Sequence, residues 1–368
     1  MMPRRSFLEA VAWLAAAGSL AGCSSDGAAG VARGSAPGPV TADTPIYDVI
    51  NNPLFDGYGQ LLFPTTLHPP TEDMTLDDLP ACLPWYSEIH TSTTVDVVSY
   101  LLSERAAKRT VFYDIYTDAE KAADPSLANT GLFRFAAEGV GGASAPFAVV
   151  SAGGGFAYVA AMHDSFPHCL HLSRSGVNGF AVIYRPDAQL ACEDLARAVS
   201  FIFEHADELS VDTSGYSLWG GSAGARMAAW VGGYGPAAFG APATTPQPAA
   251  AITQYTGMSE LTGADPATYA CVGDRDGIAS WRTMQARLEA LSATGVPTEF
   301  HVYEGLSHGF GLGVDAVAEG RSTMPSRFGR RSDEDGKTYT PHGYKLPTSR
   351  NFSPDLFTPM VKAVSDNT

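Results

Sequence analysis

Basic residues are scarce in this chain. Lysine and arginine number 23 against 39 aspartates and glutamates, a formal net charge of -16. A surface of that sign repels phosphate backbones, which argues against nucleic acid and against broad adhesion to acidic lipid. It says little about a neutral substrate. Cysteine is scarcer still, five in 368 residues, too few for a disulfide-dense scaffold. No internal repeat is present, which removes solenoids. After the first 22 residues no apolar run is long enough to read as transmembrane. What is there is a 45% hydrophobic chain. That suits one large domain with a sizeable core and a small appendage.

The start reads as a targeting segment, residues 1–22. Arg4-Arg5-Ser6-Phe7-Leu8 is twin-arginine-like, and a short apolar stretch follows. Leu20-Ala21-Gly22-Cys23 looks like a lipobox, so Cys23 is expected to carry lipid and to anchor an exported protein on a bacterial membrane. Residues 23–44, rich in Ser, Gly, Ala and Pro, read as a flexible tether. The remaining cysteines, Cys82, Cys169, Cys192 and Cys271, fit either disulfides or small buried hydrophobes.

The prolines of 46–84 suggest a wrapping segment without its own core. A helix is expected over 93–105, capped by Ser92 or Thr93. Residues 110–116 and 132–135 alternate, as an antiparallel hairpin-like start would. Continuous apolar runs then recur at 146–151, 180–184, 216–219, 250–255, 269–272 and 299–303, as strands buried on both faces should. Helical patterns at 192–208 and 281–294 lie between them. Strand–helix alternation predicts a mostly parallel sheet flanked by helices on both faces.

Gly220-Gly221-Ser222-Ala223-Gly224 sits between such a strand and a helix-friendly run. That is the setting of a nucleophile elbow, where a serine is lifted out of the sheet. Upstream, Ser151-Ala152-Gly153-Gly154-Gly155-Phe156 follows a buried strand. The N–H groups of Gly154 and Gly155, with that of Ala223, are candidates for an oxyanion hole. Downstream, Gly273-Asp274-Arg275-Asp276-Gly277 ends another strand, where open α/β sheets build their sites. Asp276, past the tight turn, is preferred over Asp274 as the acid, and Asp274 is expected to hold the turn or cap the helix. Last, Gly305-Leu306-Ser307-His308-Gly309-Phe310-Gly311 offers His308 as general base. His163, His168 and His171 cluster around Cys169 without the tight spacing of a metal site, so neither metal nor cofactor is expected. The run Met162-His163-Asp164-Ser165-Phe166-Pro167-His168 is expected to form part of the acyl or alcohol pocket or to pack beneath it, and Tyr184-Arg185-Pro186 is expected to brace the site.

These motifs, in this order, resemble the α/β-hydrolase carboxylesterases. The closer likeness is to bacterial acetyl-esterase and acetyl-xylan-esterase-like proteins with feruloyl-esterase-like domains. It covers 48–320, including Phe112-Tyr113-Asp114-Ile115-Tyr116-Thr117, Ala161-Met162-His163-Asp164-Ser165-Phe166-Pro167 and Cys192-Glu193-Asp194-Leu195-Ala196-Arg197. The resemblance implies an α/β-hydrolase fold over 45–320 and small acyl esters as substrates, acetylated carbohydrate among them. Two departures stand out. Ala152 occupies a position where many relatives have histidine. After Ala318-Glu319-Gly320, residues 321–368 lack the expected amphipathic helix. One codon choice for the residues after Gly320 reads, in a shifted frame, as Ile-Asp-Asp-Ala-Val-Ala-Val. A chain out of frame there and a divergent native tail are the two alternatives. A short-peptide serine hydrolase and an inactive binding lipoprotein of the same fold stand beside the esterase.

Overall fold

The computed structural model describes residues 39–311 and two strand fragments farther on. The signal segment, Cys23 and nearly all of the tail lie outside the described residues. In chain order come α1 (Ile46–Ile50), α2 (Leu79–Cys82), α3 (Thr91–Ala106), β1 (Phe112–Tyr113), α4 (Asp118–Ala123), β2 (Gly131–Phe135) and β3 (Ala145–Ser151). Then follow α5 (Ala161–Asp164), α6 (Phe166–Arg174), β4 (Asn178–Ile183), α7 (Ala188–Glu204), β5 (Val211–Gly221) and α8 (Ala223–Tyr234). The series ends with β6 (Ala250–Gln254), β7 (Ala267–Gly273), α9 (Trp281–Ala293), β8 (Thr298–Tyr303), β9 (Arg331–Ser332) and β10 (Thr338–Tyr339). Among the described residues, β9 and β10 pair only with each other.

Eight strands form one sheet in the order β1-β2-β4-β3-β5-β6-β7-β8. β2 runs antiparallel to both β1 and β4. All pairs from β4 to β8 are parallel. This is the α/β-hydrolase fold, with β5 central and leading into the elbow.

Period-two alternation divides the core between the two faces. On β3, Ala148 and Val150 join a cluster with α3, α6 and the N-terminal segment. Phe147 and Val149 point the other way and join α7 and α8. A third cluster lies between β7, β8 and α9. The N-terminal segment has no core of its own. It gives Ile46, Phe55, Leu62 and Leu79 to the first cluster.

The differences from expectation are local. Residues 39–44, expected as tether, already belong to the fold: Leu76 N–H donates to Thr44 O at 3.0 Å and Asp77 N–H to Ala42 O at 3.1 Å. α3 starts at Thr91 after His90, without a side-chain cap, so neither Ser92 nor Thr93 is the cap. α7 lies four residues earlier than expected, because Asp187 accepts from the N–H groups of Gln189 and Leu190 and starts the helix. The expected strand over 110–116 shrinks to two residues, and α4 separates β1 from β2. The apolar alternation there was real, but Ile115 and Tyr116 pack toward α7 instead of continuing the ladder. All four described cysteines are buried free thiols.

Candidate active site

β5 ends at Gly221 and α8 begins at Ala223, leaving Ser222 alone at the turn. Its backbone sits at φ 51°, ψ -113°, a region that costs a non-glycine residue about 1–3 kcal/mol. The neighbours hold it there. Ser222 N–H donates to Gln254 O at the end of β6, 2.9 Å away. Gly224 lies so close to Ser151 and Ala152 that a Cβ would strike the Ser151 carbonyl. The turn is therefore sharp because glycine permits backbone on backbone.

His308 comes from the loop after β8. Its Nε2 lies 3.0 Å from Ser222 Oγ, and its Nδ1 lies 2.8 Å from Asp276 Oδ2. The Asp276 side chain is buried, and its Oδ1 accepts the N–H groups of Ile278 and Ala279 at 2.8 and 2.7 Å. With both oxygens occupied, the carboxylate cannot swing away from the imidazole. Asp274 takes the other role: its Oδ1 accepts from Gly305 N–H at 2.7 Å and closes the histidine loop on the β7 turn.

The glycine loop lies directly against the serine. A Cβ on Gly153 would sit 2.8 Å from Ser222 Cβ. The Tyr184 hydroxyl donates to Ala152 O at 2.6 Å and braces the loop from β4. Gly153 N–H is taken by Asp164 Oδ2 at 2.6 Å. The N–H groups of Gly154, Gly155 and Ala223 have no acceptor among the described residues.

The sequence assigned no specific role to several residues of the site. Asp164 is fully buried and accepts from the Gly153 N–H, the Tyr86 hydroxyl and the Tyr255 hydroxyl. Burial lifts its carboxyl to about 6, with these three donors pulling the other way. Trp85, Tyr86 and Ser87 form a strap across the site. Trp85, 40% exposed, covers Gly155. Ser87 Oγ donates to His308 O at 2.9 Å and Ser87 N–H to Gly309 O at 3.2 Å. His163 Nε2 lies 2.9 Å from the same Gly309 carbonyl. Burial pushes His163 down to about 4, so its neutral ring donates there. The run 162–168 thus packs beneath the site as the sequence suggested, while its carboxylate is the informative member. His168 lies edge-on to Trp219. Among the described residues no group of three or more His, Cys, Asp or Glu side chains is placed to hold a metal. Arg185 stands apart from the reacting atoms and pairs with Asp194, which also accepts from the Tyr116 hydroxyl at 2.6 Å.

Residues 141–266 match the BD-FAE family model. That span holds the glycine loop and Ser222 and stops before Asp276 and His308. Among solved structures, the apo form of Thermogutta terrifontis esterase 2 is 21% identical, over 49% of this chain and 80% of that one, with a TM-score of 0.44. The propionate-bound form of the same esterase gives 22%, 49%, 80% and 0.44. The acetyl ester-xyloside bifunctional hydrolase from Caldicellulosiruptor lactoaceticus is 20% identical, over 56% of this chain and 90% of that one, with a TM-score of 0.48. No curated protein matches the chain.

Proposed function

We propose that this chain is a serine carboxylesterase acting on small acyl esters through an acyl-enzyme on Ser222. One observation carries the proposal: the unbroken line Ser222 Oγ, His308 Nε2, His308 Nδ1, Asp276 Oδ2, with gaps of 3.0 and 2.8 Å. The match to the BD-FAE model around the serine supports it.

In this reading His308 takes the Ser222 proton as Oγ attacks the ester carbonyl. Asp276 holds the imidazole in the tautomer that needs the proton on Nδ1, and stabilises the imidazolium. The oxygen of the tetrahedral intermediate gains negative charge beside the N–H groups of Gly154, Gly155 and Ala223. His308 returns the proton to the leaving alcohol. Water then repeats the sequence on the acyl-enzyme. Short acyl groups, acetyl on carbohydrate among them, follow from the resemblance of the motifs, and the Leu20-Ala21-Gly22-Cys23 run supports a lipid anchor.

The test is hydrolysis of the nitrophenyl ester series from acetate to decanoate. Wild type should turn over the short esters, and Ser222→Ala should lose at least about 1,000-fold in kcat. No turnover at any chain length sinks the esterase. Equal rates in Ser222→Ala sink the serine mechanism.

A further inference from the structure

The proposed reaction leaves one buried carboxylate of the site without a task. Asp164, the last residue of α5, is reached by three segments distant from one another in the chain. Gly153 of the glycine loop donates its N–H at 2.6 Å, Tyr86 of the strap its hydroxyl at 3.2 Å, and Tyr255, just past β6, its hydroxyl. A fourth segment touches it: a Cβ on Gly221, the residue before the nucleophile, would meet both carboxylate oxygens at 2.5 Å. Tyr86 also packs on Gly309, beside His308, and the Tyr255 ring lies edge-on to His308 at 5.2 Å. An anion in such a place is costly to bury, and among the described residues no lysine or arginine pairs with it. Packing alone would be served better by an uncharged side chain.

We propose that Asp164 is a positioning residue, whose carboxylate fixes the glycine loop against Ser222 and ties that loop, through Tyr86 and Tyr255, to the histidine. The proposal rests on the esterase reading of the site. The Gly153 N–H held by Asp164 sets the peptide planes that follow, and those planes carry the Gly154 and Gly155 donors. A misplacement of about 1 Å there is enough to cost about 100-fold in rate.

The charge has a second effect. Facing Asp164 are the Tyr86 hydroxyl from the strap, the Tyr255 hydroxyl from the end of β6 and the His308 ring from its loop. Its charge also reaches Tyr158 and Tyr184. Of these only His308 becomes positive during turnover, so an ionised Asp164 favours the imidazolium that catalysis forms. Burial puts the Asp164 carboxyl at about 6. Below that pH it takes a proton and releases one of its donors. Activity then falls as Asp164 takes up its proton, and the acid limb of log(kcat/KM) carries an ionisation that Asp164→Asn removes.

The experiment compares wild type, Asp164→Asn, Tyr86→Phe and Tyr255→Phe by two readouts. One is the rate at which a fluorophosphonate labels Ser222. The other is kcat and KM for nitrophenyl acetate from pH 5 to 9. Asp164→Asn should lower kcat and the labelling rate about 100-fold, leave KM within about twofold, and make the acid limb of log(kcat/KM) shallower than in wild type. Each Tyr→Phe variant should lower kcat about 5- to 10-fold. A folded Asp164→Asn with kcat within about threefold of wild type overturns the proposal, and so does a lower kcat with the acid limb unchanged from wild type. If circular dichroism shows Asp164→Asn unfolded, the Tyr→Phe pair decides, and unchanged kcat in both overturns it. A wild type that neither labels nor hydrolyses defeats the esterase reading itself. A wild type that labels, beside an Asp164→Asn that labels as fast, defeats only the positioning role.

Discussion

Asp274 and Asp276 stand two residues apart and do different work because of what each can reach. Asp276 Oδ2 meets His308 Nδ1 and Asp274 Oδ1 meets Gly305 N–H. Asp276→Asn should therefore lower kcat about 10,000-fold by presenting a donor to Nδ1 and favouring the wrong tautomer. Asp274→Asn should keep most activity and lose about 1 kcal/mol of stability. Steady-state kinetics with urea titration of both variants separates the roles. Gly224→Ala is a third residue-scale case. The new methyl has nowhere to go but the Ser151 carbonyl, so the variant should lose soluble expression or fall by more than about 3 kcal/mol in urea.

At the scale of elements, the six apolar runs chosen from the sequence are all strands in the sheet. Five of them are buried there on both faces, as expected, while β8 stands at the sheet edge and is mostly half-buried. Loops after such strands inherit their position, which is why Ser222, Asp276 and His308 could be placed from order alone. Asp164 could not. It sits in a four-residue helical turn, and its partners lie 11, 78 and 91 residues away. No local period encodes a meeting of that kind. The strap was missed for the same reason: Trp85-Tyr86-Ser87 follows a proline-rich stretch and has no pattern of its own. Ser87→Ala tests the strap as an element. It removes the bond to the His308 carbonyl and should lower kcat several-fold. KM should hold steady, and amide exchange at 305–311 should speed up by a factor of about 5 for a bond worth about 1 kcal/mol.

Across the whole molecule, buried titratable groups set the response to acid. Burial pushes His163 to about 4, His168 to about 3 and His171 to about 4. Each folded-state value lies below the ordinary one. The unfolded chain therefore takes up protons that the folded chain refuses as pH falls through about 6.5, and stability drops toward pH 4. Asp164 works in the opposite sense. Its raised value makes the folded state the better proton acceptor between about 6 and 4. Three histidines against one carboxyl leave these groups with a net uptake of about two protons on unfolding. The urea midpoint should fall steadily from pH 6.5 to 4, and a midpoint that rises over that range would contradict the burial of the histidine cluster.

The strap also fixes when the proposed site can first form. Ser87 and His308 are 221 residues apart, yet they share a hydrogen bond at the reacting centre. Contacts of such separation close large loops and are slow to form. The sheet can assemble largely from neighbours, β3 with β4 and β6 with β7, before either end of the described chain has met the other. Refolding from urea should then regain its far-ultraviolet signal first and the proposed esterase activity later. Throughout that interval the molecule would have its sheet but no placed histidine.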